Sequence, residues 1–144
     1  MKNKLYSLMA FLFLLVCLGC SDDSSSDSAE DNSALIEKVW DYSKSNPNGF
    51  TINICDWTVP EKGIAVSYAS TQNSFDKEAL TYVVDHSLKH DCFVGGWLDD
   101  GKYYYDSVKL FSEDSLDQAK TFGIQEKQMA IYIISKDSTI YLQE

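Results

Sequence analysis

Two histidines near the end of a predicted helix are the residues of this sequence whose spacing best suits chemistry. His86 and His90 are the only histidines of the chain and stand four residues apart. In a helix this spacing directs two imidazoles the same way, as a shared zinc ion requires, and Asp91 offers a third ligand. A zinc protease also needs a glutamate directly after the first histidine, where this chain has Ser87. The sequence therefore predicts no metal site.

The same two histidines restrict which enzymes this chain could be. A small secreted hydrolase would have to use His86 or His90 with Asp91 or Asp106 as acid and base. No nucleophile elbow is present in the sequence. The alternative is a pair of exposed or capping histidines, which a negative helix end favours. We therefore expect a protein that is not an enzyme, with the hydrolase as the alternative.

A dense stretch, HDCFVGGWLDDGKYYYDS at 90–107, follows these histidines. The Asp-Gly pair at 100–101 is typical of a two-residue hairpin turn, which fixes how the flanking strands pair. It places Trp97 opposite Tyr104 and Gly96 opposite Tyr105. One face of the hairpin then carries the candidate ligand-binding residues Gly95, Trp97, Tyr104 and Asp106.

This face has two interpretations. As a site, Trp97 and Tyr104 wall a shallow recess above Gly95, with the Asp106 carboxylate at its rim, suited to a sugar, a cation or a peptide edge. As structure, the glycines make room for neighbouring rings, with Tyr105 covering Gly96, and so fix twist and register. Sequence alone leaves both interpretations open.

The elements that must position these residues form an α+β domain. The helical spacing of apolar residues, together with capping residues at the ends, predicts helices at 34–45, 74–90 and 115–123. Alternating patterns predict strands at 50–54 and 63–69, the hairpin at 92–111, and strands at 128–135 and 139–142. Strand pairs separated by single helices predict an antiparallel or mixed sheet of about six strands with three helices, in one domain at 34–144.

The N-terminal segment resembles a bacterial lipoprotein signal. Lys2 and Lys4 precede an apolar run, and Gly19 stands directly before Cys20. The resemblance implies a signal peptide at 1–19, lipidation of Cys20 and an acidic, serine-rich tether at 20–33. The SDD after this cysteine also resembles the surface-export signal of Bacteroidota-type lipoproteins. We expect an outer-membrane anchor facing the cell surface, with the periplasmic face as second choice and an unlipidated secreted protein as the alternative.

The charge of the chain limits the classes of partner and cofactor that it can bind, and its cysteines allow a disulfide. The formal net charge is -10, and all 12 basic residues are lysines, so no guanidinium fork is available to grip phosphate. With no glycine-rich phosphate loop either, we expect no nucleic-acid partner and no cofactor, and membrane contact through the lipid alone. Cys55 and Cys92 would remain after processing, either as a disulfide or as two free thiols.

The chain also resembles, over about 49–142, an uncharacterised domain of phage and mobile-element proteins. The shared features fall on Gly49, Phe50, Gly63, Gly95, Gly96, Trp97, Tyr105, Asp106, Ala119, Gln128 and Tyr132. The resemblance implies a common fold and a link to mobile DNA, but no activity. We therefore expect a lipid-anchored module that binds a protein or carbohydrate at the cell envelope. A purely structural envelope protein is a further alternative.

Overall fold

The computed structural model describes residues 27–142, with side chains from residue 32 onward. The predicted signal peptide and Cys20 lie outside these residues, as does the first part of the predicted tether. The α-helices are α1 (Asp27–Ser45), α2 (Asp76–Leu88) and α3 (Leu116–Gln125). The strands are β1 (Phe50–Asn53), β2 (Ile64–Ser67), β3 (Ser74–Phe75), β4 (Phe93–Asp99), β5 (Lys102–Phe111), β6 (Ala130–Ile133) and β7 (Ser138–Tyr141). The predicted α+β class is confirmed. Strands β1 and β2 follow α1 as predicted, but they lie apart in the sheet, and β3 is an additional short strand before α2.

All strands belong to one antiparallel sheet in the order β1-β4-β5-β2-β6-β7, with the short β3 pairing with β5 beside β2. The hairpin of β4 and β5 has the predicted register, with Gly96 opposite Tyr105 and Trp97 opposite Tyr104. Side chains alternate between the two faces of a strand, so this register decides which residues share a face.

The three helices all lie on the same face of the sheet. Tyr105 packs with α1 and α2. Val66 packs with α3 and is paired with Lys109, which lies on the same face of β5 as Tyr105. The opposite side of the sheet is called the open face here. Its strand residues include Thr51, Ala65, Ser67, Phe75, Gly95, Trp97, Tyr104, Asp106, Val108, Tyr132, Thr139 and Tyr141.

Two hydrophobic clusters hold the helices on the sheet. The larger joins α1 and α2 to β1, β4 and β5 through Val39, Ile52, Leu80, Val83, Val84, Val94 and Tyr105. The smaller joins α3 to β2 and β6 through Ile64, Val66, Ala119, Ile131 and Ile133. Each aliphatic side chain buried in this way stabilises the fold by about 1.5–3 kcal/mol. In α3, a Cβ at Gly123 would lie 2.6 Å from Leu142, so glycine permits this close approach.

Element boundaries differ from the sequence predictions at two helix starts. Helix α1 begins at Asp27, inside the segment predicted as tether, rather than at Ala34. Helix α2 begins at Asp76, because the predicted cap Ser74 pairs with β5 in strand β3, and Phe75 occupies the N-cap position. Cys55 and Cys92 form a disulfide with a Cα–Cα distance of 5.7 Å, which ties the turn after β1 to the start of β4.

Candidate functional site

Three aromatic side chains form a row across the open face. The rings of Trp97 and Tyr104 stack with centroids 5.3 Å apart, and the Phe75 ring meets Tyr104 edge to face at 4.9 Å. Because Trp97 and Phe75 lie opposite Tyr104 on its two neighbouring strands, the backbone register itself assembles the row. Trp97 remains 40% exposed. These three residues are called the aromatic row below.

Asp106 lies two residues from Tyr104 on the same face of β5. Only 8% of its surface is exposed, and its carboxylate accepts a hydrogen bond from the Ser67 hydroxyl at 3.1 Å. Burial raises the pKa of this carboxyl to about 6, against the opposing effect of the Ser67 hydrogen bond. Beside the aromatic row there is thus a carboxyl group that titrates just below neutral pH.

The predicted recess above Gly95 is not present as such. A Cβ at Gly95 would lie 3.0 Å from Val108 Cγ2, so this neighbouring side chain already occupies the space. Trp97 and Tyr104 also stack against each other instead of standing apart as two walls. The structure therefore brings Trp97 and Tyr104 together at an exposed surface, places the buried Asp106 carboxyl on the same face beside them, and assigns Gly95 to packing.

The structural interpretation holds on the other face of the hairpin. A Cβ at Gly96 would lie 2.9 Å from atoms of both the Phe50 and Tyr105 rings. Glycine is required here because two rings close over the backbone, as predicted for Tyr105.

The histidines lie elsewhere, at the end of α2 and on the helix side of the sheet. Their rings stack with centroids 3.9 Å apart, His90 Nδ1 bonds the His86 carbonyl at 2.7 Å, and His86 Nε2 lies 2.7 Å from the Ser70 hydroxyl. The Asp91 carboxylate accepts a hydrogen bond from the Tyr68 hydroxyl. Asp106 is on the opposite face, so the predicted pairing of a histidine with Asp106 is wrong.

His86 is the more enclosed of the two imidazoles. Burial lowers its pKa, and the nearby His90 and Lys89 charges lower it further, while Glu126 has the opposite effect. Its Nδ1 atom is buried and has no hydrogen-bond partner among the described residues. A neutral imidazole can accept the Ser70 proton at Nε2, but no carboxylate of the described chain orients the ring through Nδ1 as in a catalytic triad.

Within residues 32–142, no three His, Cys, Asp or Glu side chains are arranged to hold a metal ion. Shallow surface grooves occur near α3 and at the end of β5, lined by residues such as Lys109, Phe111 and Glu113. These two grooves contain none of the predicted site residues. None of the described helices is long and apolar enough to cross a bilayer.

Comparisons with protein-family models, curated proteins and solved structures find no match to this chain. The functional argument therefore depends on the site geometry alone.

Sequence reasoning missed two members of the site. The helical spacing of Phe75 to Ala79 predicts that Phe75 lies in a helix, whereas it pairs with Tyr104 in β3. Ser67 bonds a carboxylate 39 residues away in the sequence, so no local pattern could join the two. The sequence contains one signal for this contact. The alternating pattern of β2 places the Ser67 side chain on the face opposite Val66, which is the open face.

Proposed function

We propose that this protein is a lipid-anchored binding module of the bacterial cell envelope, and that its open face binds a neutral carbohydrate. The observation that carries the proposal is the aromatic row with Asp106 beside it. Aromatic rings provide flat apolar surfaces on which the C–H faces of a sugar can stack. A carboxylate provides acceptors for sugar hydroxyls.

The electrostatics of the chain favour a neutral ligand over an anionic one. The formal net charge is -10, and two acidic residues, Asp99 and Asp106, lie two residues from Trp97 and Tyr104 on the same face of their strands. An anionic polymer would be repelled by this surface, whereas a neutral sugar avoids the penalty. The exposed rings at the surface of an acidic domain therefore point to sugars without acidic groups.

The carbohydrate proposal is tested with a chain beginning at Ser21, which retains every residue that the structure describes. Affinity electrophoresis in gels containing a soluble β-glucan, a mannan or a galactomannan gives the retardation of the native protein. We expect retardation by at least one polymer, and Trp97→Ala to weaken it at least about tenfold, because stacking area is lost.

Tyr82→Ala is the matched control, because Tyr82 is an exposed aromatic residue of α2, on the opposite side of the sheet from the aromatic row. This variant should be retarded like the native protein. Native mobility in all three polymers, or equal retardation of the Trp97→Ala variant, contradicts the proposal. Near-ultraviolet circular dichroism checks that both variants remain folded.

The anchor is supported by the N-terminal sequence and is tested separately. Mass spectrometry of the mature protein should find a lipidated N-terminal Cys20, and Cys20→Ser should release the protein from the membrane fraction. Surface protease treatment of intact cells distinguishes the outer surface from the periplasmic face. An unlipidated N-terminus at another residue contradicts the anchor and leaves the carbohydrate proposal intact.

A second candidate, a serine hydrolase, is favoured by one contact. The Ser70 hydroxyl is exposed and lies 2.7 Å from His86 Nε2, an arrangement in which the imidazole can accept the hydroxyl proton during attack on an ester. A fluorophosphonate probe should then label native protein and fail to label Ser70→Ala or His86→Gln. Absence of labelling in the native protein excludes this candidate.

A further inference from the structure

The two outer edges of the sheet use their backbone groups differently. At the β1 edge, the Asn53 N–H donates to the Thr58 carbonyl at 2.8 Å, so the loop after the strand closes part of this edge. At the other edge, no strand within residues 27–142 pairs with the outer side of β7. The β7 edge is therefore the one that presents its backbone to another strand.

The register of β7 shows which groups point outward. The Leu142 N–H donates to the Met129 carbonyl at 2.8 Å, which continues the β6–β7 ladder. Opposite pairs in an antiparallel ladder alternate between hydrogen-bonded and non-hydrogen-bonded. Ile140 is therefore hydrogen-bonded toward β6, whereas Thr139 and Tyr141 turn their N–H and C=O groups toward the free edge.

We propose that β7 pairs with β7 of a second copy of this chain, antiparallel and about a two-fold axis at Ile140. This axis places Thr139 of each copy opposite Tyr141 of the other. Both residues turn their backbone groups outward, so each outward N–H finds a carbonyl and the contact is self-complementary.

The side chains of this edge fit a second copy. Ser138–Tyr141 has no charged residue and no proline, although the chain as a whole carries a formal charge of -10. Soluble proteins commonly protect edge strands with lysine or proline, and β7 has neither. Two acidic domains can approach most closely where neither carries charge, and the 78% exposed Tyr141 would lie beside Thr139 of the other copy.

Antiparallel pairing about this axis joins the two sheets into one, with both open faces on the same side. If the open face binds carbohydrate, the dimer presents two aromatic rows to one polymer, which raises the apparent affinity for repeating ligands. This consequence depends on the proposed function, whereas the dimer itself does not.

The test compares two threonines that occupy equivalent positions on the two edges. The Ile54 N–H donates to the Cys92 carbonyl, and the pairs of the β1–β4 ladder alternate from this bond. Thr51 is therefore not hydrogen-bonded to its partner on β4, just as Thr139 is not hydrogen-bonded to its partner on β6. Proline at either position removes an outward N–H without removing a bond to the neighbouring strand. Sedimentation velocity over a concentration series, with the chain from Ser21, measures the dimer dissociation constant.

We expect the native protein and Thr51→Pro to dimerise equally, and Thr139→Pro to raise the dissociation constant at least about tenfold. Tyr141→Lys, which changes no backbone group, should weaken the dimer as well and covers the case in which Thr139→Pro does not fold. A native protein that stays monomeric throughout the series overturns the proposal. So does a dimer that persists in folded Thr139→Pro, or one that Thr51→Pro or Trp97→Ala disrupts. Because the measurement uses no carbohydrate, its failure is distinct from failure of the binding proposal.

Discussion

The two faces of the β4–β5 hairpin carry similar aromatic residues but differ in whether helices cover them. On the helix face, Tyr105 is 1% exposed and its hydroxyl hydrogen-bonds Ser43 of α1 at 2.7 Å. On the open face, Tyr104 stacks on the exposed Trp97, and none of the helices described between residues 27 and 142 packs over it. The difference shows that an aromatic residue in a strand becomes core or surface through what packs on that face. Stability should therefore depend on one tyrosine, and ligand binding on the other.

The strongest test of this difference between the two faces is to replace each of the adjacent tyrosines by alanine. Tyr105→Ala should lower the free energy of unfolding by about 3–5 kcal/mol, because it leaves a cavity between α1, α2 and the sheet. Tyr104→Ala should cost about 1 kcal/mol, because it loses mainly ring contacts at the surface. Urea denaturation of both variants measures the difference, and equal losses would show that the open face is also covered.

The pH dependence of Asp106 tests how far the open face is shielded from water. Its folded pKa of about 6 is raised above the ordinary value of 3.8, so the folded state binds the proton more tightly than the unfolded chain. The protonated carboxyl therefore stabilises the fold at low pH, and this contribution is lost as the pH rises from about 4 through 6.

Asp106→Asn removes this titration while keeping an acceptor for the Ser67 hydroxyl. The unfolding free energy of the variant relative to native protein should rise by about 2–3 kcal/mol between pH 4 and pH 7. Urea denaturation at several pH values measures this trend. Asp100→Asn, at an exposed turn residue, controls for loss of one acidic group. A constant difference for Asp106→Asn would mean that the carboxyl is well solvated.

Substitutions at the two adjacent glycines of β4 have the smallest expected effects on stability and test the assignment of the two faces directly. Gly96→Ala should destabilise the protein by about 1–3 kcal/mol, because its methyl group meets two rings of the helix face at 2.9 Å. Gly95→Ala should cost less than about 1 kcal/mol, since only the Val108 methyl must move by a few tenths of an ångström. Thermal unfolding of both variants ranks them, and the reverse order would contradict the assignment of the faces.

The hairpin register could be predicted because an Asp-Gly turn acts locally and fixes every pair that follows it. The sequence does not predict which face of the hairpin the helices cover. Tyr103 and Tyr105 lie on one face, and Tyr104 and Trp97 lie on the other, so both faces appear equally aromatic. Sequence separation explains the remaining errors. The pairing of Phe75 with Tyr104 overrides a local helical pattern, and the space above Gly95 is filled by a residue of the neighbouring strand.

The position of β2 has a consequence for the order in which the protein folds. The β4–β5 hairpin joins residues close in sequence, so it can form within microseconds. Strand β2 instead pairs with residues 108–111 on one side and 132–133 on the other, more than forty residues away. Closing such long loops carries an entropic cost before any contact offsets it, so we expect β2 to enter the sheet late. Until then the cluster under α3 lacks Ile64 and Val66, and the hairpin with α1 and α2 is the part of the molecule able to form first.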